Sequence, residues 1–200
     1  MPCPGGALPR PGSWPACRYG APVVDVGTAQ RADWGARWRA SLWDYLAILG
    51  WIAVVTVLGL LVRAFLPIPA AGSTPPLVVV DLIAFASTVL PVWAYLTLGE
   101  AGRAAATWGK RRTGLRVVGP RDERPGLLRV AVRNAVKLLP WQLAHVAVAR
   151  LVLGSDDVVT VVVPYVLSLL IPVVTLVVAW RDPLRRAVHD RVAGTRVVRS

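Results

Sequence analysis

At 200 residues and 21.5 kDa the chain has room for one or two soluble domains, yet 55% of it is hydrophobic and only 17% charged, against about 25% charged in an average soluble chain. Its 23 basic and 11 acidic side chains leave a formal net charge of +12. That balance fits a membrane protein with basic loops; the hydrophobicity excludes disorder of the whole chain, and two cysteines exclude a disulfide scaffold.

Residues 1–33 read as a disordered cytoplasmic tail. Six prolines and five glycines fall within its first 27 residues, with no apolar periodicity to offset the entropy of ordering. It lacks the apolar run of a secretory signal. Cys3 and Cys17 have neither CxxC spacing nor a neighbouring histidine and read as free thiols.

Three stretches are free of charge: Tyr45 to Val62, Leu82 to Gly99 and Val158 to Trp180. A hydrocarbon core of about 30 Å needs roughly 17–25 helical residues, so each is long enough to cross. Pro91, Pro164 and Pro172 lie inside these runs, where membrane helices tolerate them and kink. A fourth stretch, 134–153, is apolar but carries Lys137, Pro140, Gln142, His145 and Arg150. Five arginines precede the first run, ten basic residues lie between Arg103 and Lys137, and six follow from Arg181. The loop from Ala64 to Val80 has none. If 134–153 crosses, all of these basic residues share one side, as the positive-inside rule requires.

The expected fold is therefore an all-α integral membrane bundle of four transmembrane helices, at about 42–64, 77–99, 134–153 and 158–180. A basic cytoplasmic loop covers 100–133 and a cytoplasmic segment covers 181–200. Both termini face the cytoplasm of a multi-pass cell-membrane protein.

Four constellations are candidates for chemistry. Arg37 and Asp44 stand two helical turns apart at the entry to the first helix, with Arg39 beside them. Asp44 is either part of an ion or substrate path or an anion favoured by the helix dipole and a neighbouring arginine. Lys110, Arg111 and Arg112 form a cluster suited to anionic lipid headgroups. Gly109-Lys110 does not complete a phosphate loop, because Arg111 holds the Ser/Thr position. Arg129, Arg133 and Lys137, spaced by four, form the basic stripe of an amphipathic interfacial helix that extends the same lipid-facing cluster. His189-Asp190 has no nucleophile or third partner, and Asp190 reads as a salt-bridge hub for nearby arginines.

The entry Arg…Asp44, the loop Thr107-x-Gly109-Lys110-Arg111-x-x-Gly114-Leu115-Arg116-Val117-Val118 and the closing His189-Asp190-Arg191-x-Ala193-Gly194-Thr195-x-Val197-Val198 together resemble the RDD family of small prokaryotic membrane proteins, over about residues 36–199. The resemblance maps the family's arginine to Arg37 or Arg39 and its aspartates to Asp44 and Asp190. Transport is the activity suspected of the family; the ion exchange linked to individual members does not transfer to this chain.

Two stretches, Gly114 to Val118 and Gly194 to Val198, share the pattern Gly-x-Arg-Val-Val and alternate as strands do. They are expected to pair as a short ladder that brings Asp190 near Lys110, Arg111 and Arg112. Two functions remain open. One is transport of ions or small solutes, with Arg37, Arg39, Asp44, His145 and Asp190 as the path or as a structural ion pair. The other is a non-transporting adaptor whose basic face binds anionic lipid or a partner protein. Metal-ligand spacing and nucleophile–base arrangements are lacking, so neither catalysis nor a cofactor is expected. The expected partners are the lipid bilayer with its anionic headgroups and a second copy of the chain. Nucleic acid is not expected, since no groove-reading motif accompanies the basic residues.

Overall fold

The computed structural model describes residues 30–65 and 76–200. The tail expected over 1–33, with Cys3 and Cys17, lies outside the described residues as far as residue 29. Four helices are long and apolar enough to cross a membrane: Trp34–Phe65, Leu77–Ala101, Leu127–Val152 and Val158–Arg181, here called spans one to four. Large apolar side chains cover their outward faces, among them Leu58, Ile83, Val148 and Leu169, which is the surface a lipid solvent favours.

Spans one and three begin about two helical turns earlier than the charge pattern predicts. Span one starts at Trp34 because the Asp33 carboxylate accepts the Ala36 N–H at 2.6 Å, satisfying one of the free donors of the first turn. Asp44 therefore sits ten residues inside the helix, about 15 Å along it, and not at its start. In span three the expected interfacial helix and membrane helix are one continuous element, Leu127–Val152. The acidic loop before span four has a capping role, with Asp157 accepting from Val159 N at 3.1 Å.

Span two contains a π-turn at Phe85–Val89, just before Pro91. Proline has no N–H to offer the carbonyl four residues back, which is that of Ser87. Trp51 Nε1 of span one donates to that carbonyl at 2.9 Å. The helix irregularity thus becomes a joint between two spans. Next to it, Ile48, Val89, Val92, Leu96 and Leu138 form the buried core of the bundle.

At one end the connections fold into a compact cap. A five-residue helix, Trp108–Arg112, is capped by Thr107. The strands β1 (Leu115–Val118) and β2 (Arg196–Arg199) pair antiparallel, with Leu115 opposite Arg199 and Val118 opposite Arg196. The expected ladder is therefore present. Two strands alone are marginal in water; here Leu115, Val117 and Val197 pack on Ala32, Ala36 and Ala40 at the entry of span one. Gln30 and Arg31, expected in the disordered tail, lie instead along β2: Arg31 bridges Val198, and Arg199 N donates to Gln30 O at 3.0 Å. A six-residue helix, Val188–Ala193, leads to Gly194, whose φ of 61° makes the left-handed exit that glycine favours.

Candidate functional site

The cap end of the bundle holds a buried chain of alternating charges. Asp44 of span one accepts from Tyr95 Oη at 2.9 Å, Thr107 Oγ1 at 2.6 Å and the Gly109 N–H at 2.9 Å, and Lys110 Nζ lies 3.8 Å from it. Lys110 Nζ donates to Glu100 at 2.9 Å. Glu100, fully buried at 0% exposure, also accepts from Arg133, and from Asn134 Nδ2 at 3.3 Å. Arg133 donates its Nε–H to Asp190 at 2.9 Å. Asp190 further accepts from Ala187 N at 3.2 Å and Thr195 Oγ1 at 3.3 Å. The run Asp44–Lys110–Glu100–Arg133–Asp190 thus links spans one, two and three to both ends of the cap. Buried ions in this number persist only when each is paired and hydrogen-bonded.

Several sequence expectations are corrected here. Lys110 and Arg133 are not lipid-facing: both are buried in ion pairs. A basic stripe read at a spacing of four assumed a solvated face, whereas Glu100 and Asp190 meet it from other elements. Arg111, Arg112 and Arg129 are exposed. Arg112 lies over the rings of Trp43 and Trp108, at 4.7 and 4.5 Å, and Arg129 pairs with Glu123 at 3.7 Å. Lys137 is half-buried and faces a cavity.

Arg37 does not pair with Asp44. It donates to the carbonyls of Arg185 at 2.8 Å and Val197 at 3.3 Å, tying span one to the C-terminal segment. Arg39 is exposed. Asp190 takes its ion pair from Arg133 of span three rather than from the Lys110–Arg112 cluster that the ladder was expected to bring to it. The arginine hub expected at Asp190 is Asp182, which accepts from Arg186 and Arg191. Burial opposes its charge, but those guanidiniums and the N–H groups of Leu184 and Arg186 hold its pKa down to about 2. His145 stands apart: Nδ1 lies 2.9 Å from the Trp141 carbonyl and Nε2 lies 3.3 Å from Thr88 Oγ1. At the far end of the bundle Arg150 grips Asp81 through two bonds, at 3.1 and 3.0 Å.

Glu100 and Asp182 escaped sequence reasoning. Glu100 looked like the boundary of an apolar run, and its signal was being the one acid closing a span that ten basic residues follow.

Asp190 and His189 lie outside the spans. Burial works against the Asp190 carboxylate, but Arg133, His189 and Arg37 keep its pKa below the usual 3.8. Burial pushes the His189 imidazole down to about 3, with Arg133 and Lys137 adding to the effect and Asp190 opposing it. The unfolded chain takes up this proton near 6.5 while the folded protein does not, so this contribution to stability is complete above that value and declines as pH falls towards 3. His189→Gln is expected to flatten the decline in unfolding temperature between about pH 7 and pH 5. An unchanged slope would mean that the folded protein already holds the proton.

A cavity of about 780 Å³ opens between span one on one side and spans three and four on the other. Arg37, Asp44, Lys137, His189 and Asp190 line its cap end, while Ile48, Ile52, Trp141 and Ile171 line its deeper part. Among the described residues no three His, Cys, Asp or Glu side chains converge as a metal site.

The RDD family model matches residues 31–194, including every residue of the charged chain. The chain belongs to the RDD family. No curated protein and no solved structure matches it. The family match runs from Arg31 to Gly194 and so covers the four spans and β1 of this RDD protein, while β2 of the Gly-x-Arg-Val-Val ladder that closes one end lies just beyond it. Of the two arginines that the resemblance left open for the family's arginine, Arg37 is the one engaged with the C-terminal segment.

Proposed function

We propose that this RDD protein carries an ion or small solute across the cell membrane, with the cavity beside Asp44 as its entrance and the charged chain as its gate. The observation that carries the reading is that Asp44 and Asp190, buried in alternating ion pairs, also line a cavity large enough for a small ligand. Deeper in the bundle, Thr88 and His145 offer the next polar contact between spans two and three. The cap end faces the cytoplasm in this reading, with both termini on that side, supported by the basic residues concentrated there. The role assigned is that of a carrier and not a catalyst.

Reconstitution tests it. Proteoliposomes given a panel of monovalent ions and small solutes are expected to show flux, and Asp44→Asn is expected to lower it about tenfold, because the charged chain loses its carboxylate at the entrance. No flux above empty liposomes for the whole panel would reject transport. The exposed Arg111, Arg112 and Arg129 favour a second reading, an adaptor at the anionic membrane surface. Absent flux together with salt-sensitive binding to anionic liposomes, lost when these arginines are neutralised, would select it. Reporter fusions at the C-terminus check the orientation.

A further inference from the structure

The cavity between spans one, three and four has two chemically distinct halves, and neither is filled by the protein. At the cap end Lys110 and Arg133 make direct ion pairs with carboxylates, whereas Lys137 and Arg37 make none among the described residues. Lys137 stands one turn deeper than Arg133 on the same helix. Its Nζ has no hydrogen-bond or ion-pair partner among the described residues. Arg37 is met only by carbonyl oxygens, and its Nε is buried with no partner among the described residues. The cavity lining holds four cations (Arg37, Lys110, Arg133, Lys137) and two carboxylates (Asp44, Asp190); even with Glu100, which pairs with Lys110 and Arg133 from behind, one positive charge lacks an anion. A cation with no counter-ion at a membrane-embedded site is costly.

The other half is apolar, lined by Ile48, Ile52, Leu138, Trp141, Ile171 and Leu176. From Arg37 to Ile52 is about 22 Å of helix, more than the half-thickness of a hydrocarbon core of about 30 Å. The lips are open to the bilayer: Tyr45, Leu49 and Val173 line the cavity and are each more than half exposed. A free inorganic anion would satisfy the cations and leave this apolar length empty.

We propose that the cavity is a binding site for a single anionic membrane lipid. Its phosphate accepts hydrogen bonds from Lys137 and Arg37, and an acyl chain lies along Ile48, Ile52 and Ile171. This goes beyond carriage of a solute and does not require it: the site exists whether or not the bundle transports, and the lipid belongs to the leaflet on the cap side.

The test uses the full chain in nonionic detergent, so that its outcome is independent of flux. The probes are phosphatidylglycerol and phosphatidylcholine carrying the same photoreactive acyl chain, with labelled positions mapped by peptide mass spectrometry. The anionic probe is expected to label the stretches around Ile48–Ile52 and Ile171 preferentially. Lys137→Gln is expected to reduce that labelling about tenfold, as loss of a charge-assisted contact does, while Arg103→Gln, at an exposed cation away from the cavity, leaves it unchanged. Ile171→Trp, which fills the apolar half and leaves Lys137 in place, is expected to block it too. Equal labelling by the two lipids, labelling insensitive to both cavity variants, or copy-to-copy crosslinks through the Ile171 face would each overturn the proposal; the last would make a second copy the occupant.

Discussion

Glu100→Gln is expected to destabilise the protein by about 3–5 kcal/mol, the usual cost of removing one partner from a buried ion pair. Glu100 has no exposed surface and sits between two cations, with Lys110 at 2.9 Å and Arg133 in direct contact. The amide has nearly the same shape, so packing is retained and the charge alone is lost. Arg133 keeps Asp190, but the remaining carboxylate near Lys110 is Asp44 at 3.8 Å. A buried ammonium is then left poorly compensated, and span two loses its electrostatic tie to span three and to the cap. Thermal unfolding in detergent and the fraction eluting as folded monodisperse protein measure the effect. Pairing Glu100→Gln with Lys110→Met removes the stranded cation and is expected to recover part of the loss. A single variant within about 1 kcal/mol of the parent would mean that the chain of charges does not hold the cap to the bundle.

Gly109→Ala is the second large effect. A Cβ at Gly109 would fall 2.2 Å from the Ala40 carbonyl oxygen and 2.9 Å from the Asp44 backbone nitrogen. Both are backbone atoms of a helix, which have no rotamer to escape through. The five-residue helix must therefore lift off span one. Overpacking of this kind costs about 1–3 kcal/mol. The Gly109 N–H bond to the Asp44 carboxylate, 2.9 Å long, is worth about 1.5–3 kcal/mol more as a bond to a charged group. The same exchange at Gly59, where a Cβ meets nothing within 4 Å, is expected to be neutral or slightly stabilising, since alanine is the better helix former by about 1 kcal/mol. Unfolding temperatures of the two variants decide the matter: equal values would show that span one and the cap are not in close contact at Gly109.

How the two glycines differ is invisible in the sequence, because both occur in helices with ordinary neighbours. The same holds for the cations. Periodicity reports which residues share a face, and Arg129, Arg133 and Lys137 do lie along one helix. It carries no information about what comes to meet that face from elsewhere. Arg129 meets a nearby exposed glutamate, Arg133 is enclosed by two acids from distant segments, and Lys137 opens on the cavity. Likewise the local charge pattern at the entry of span one pointed Arg37 towards Asp44. Tertiary packing instead sends Arg37 to the C-terminal carbonyls and gives Asp44 to Tyr95, Thr107, Gly109 and Lys110.

The solvent and the number of spans are written locally in the chain: four apolar runs of bilayer length, basic residues concentrated in one set of connections, and two matching strand segments able to pair. These follow from transfer free energies and backbone periods, which are properties of short stretches of polypeptide. The resting place of each charge is not local. A buried ion is placed by partners distant in the chain, as Glu100, Arg133 and Asp190 are, and its cost or benefit exists only once those partners have met.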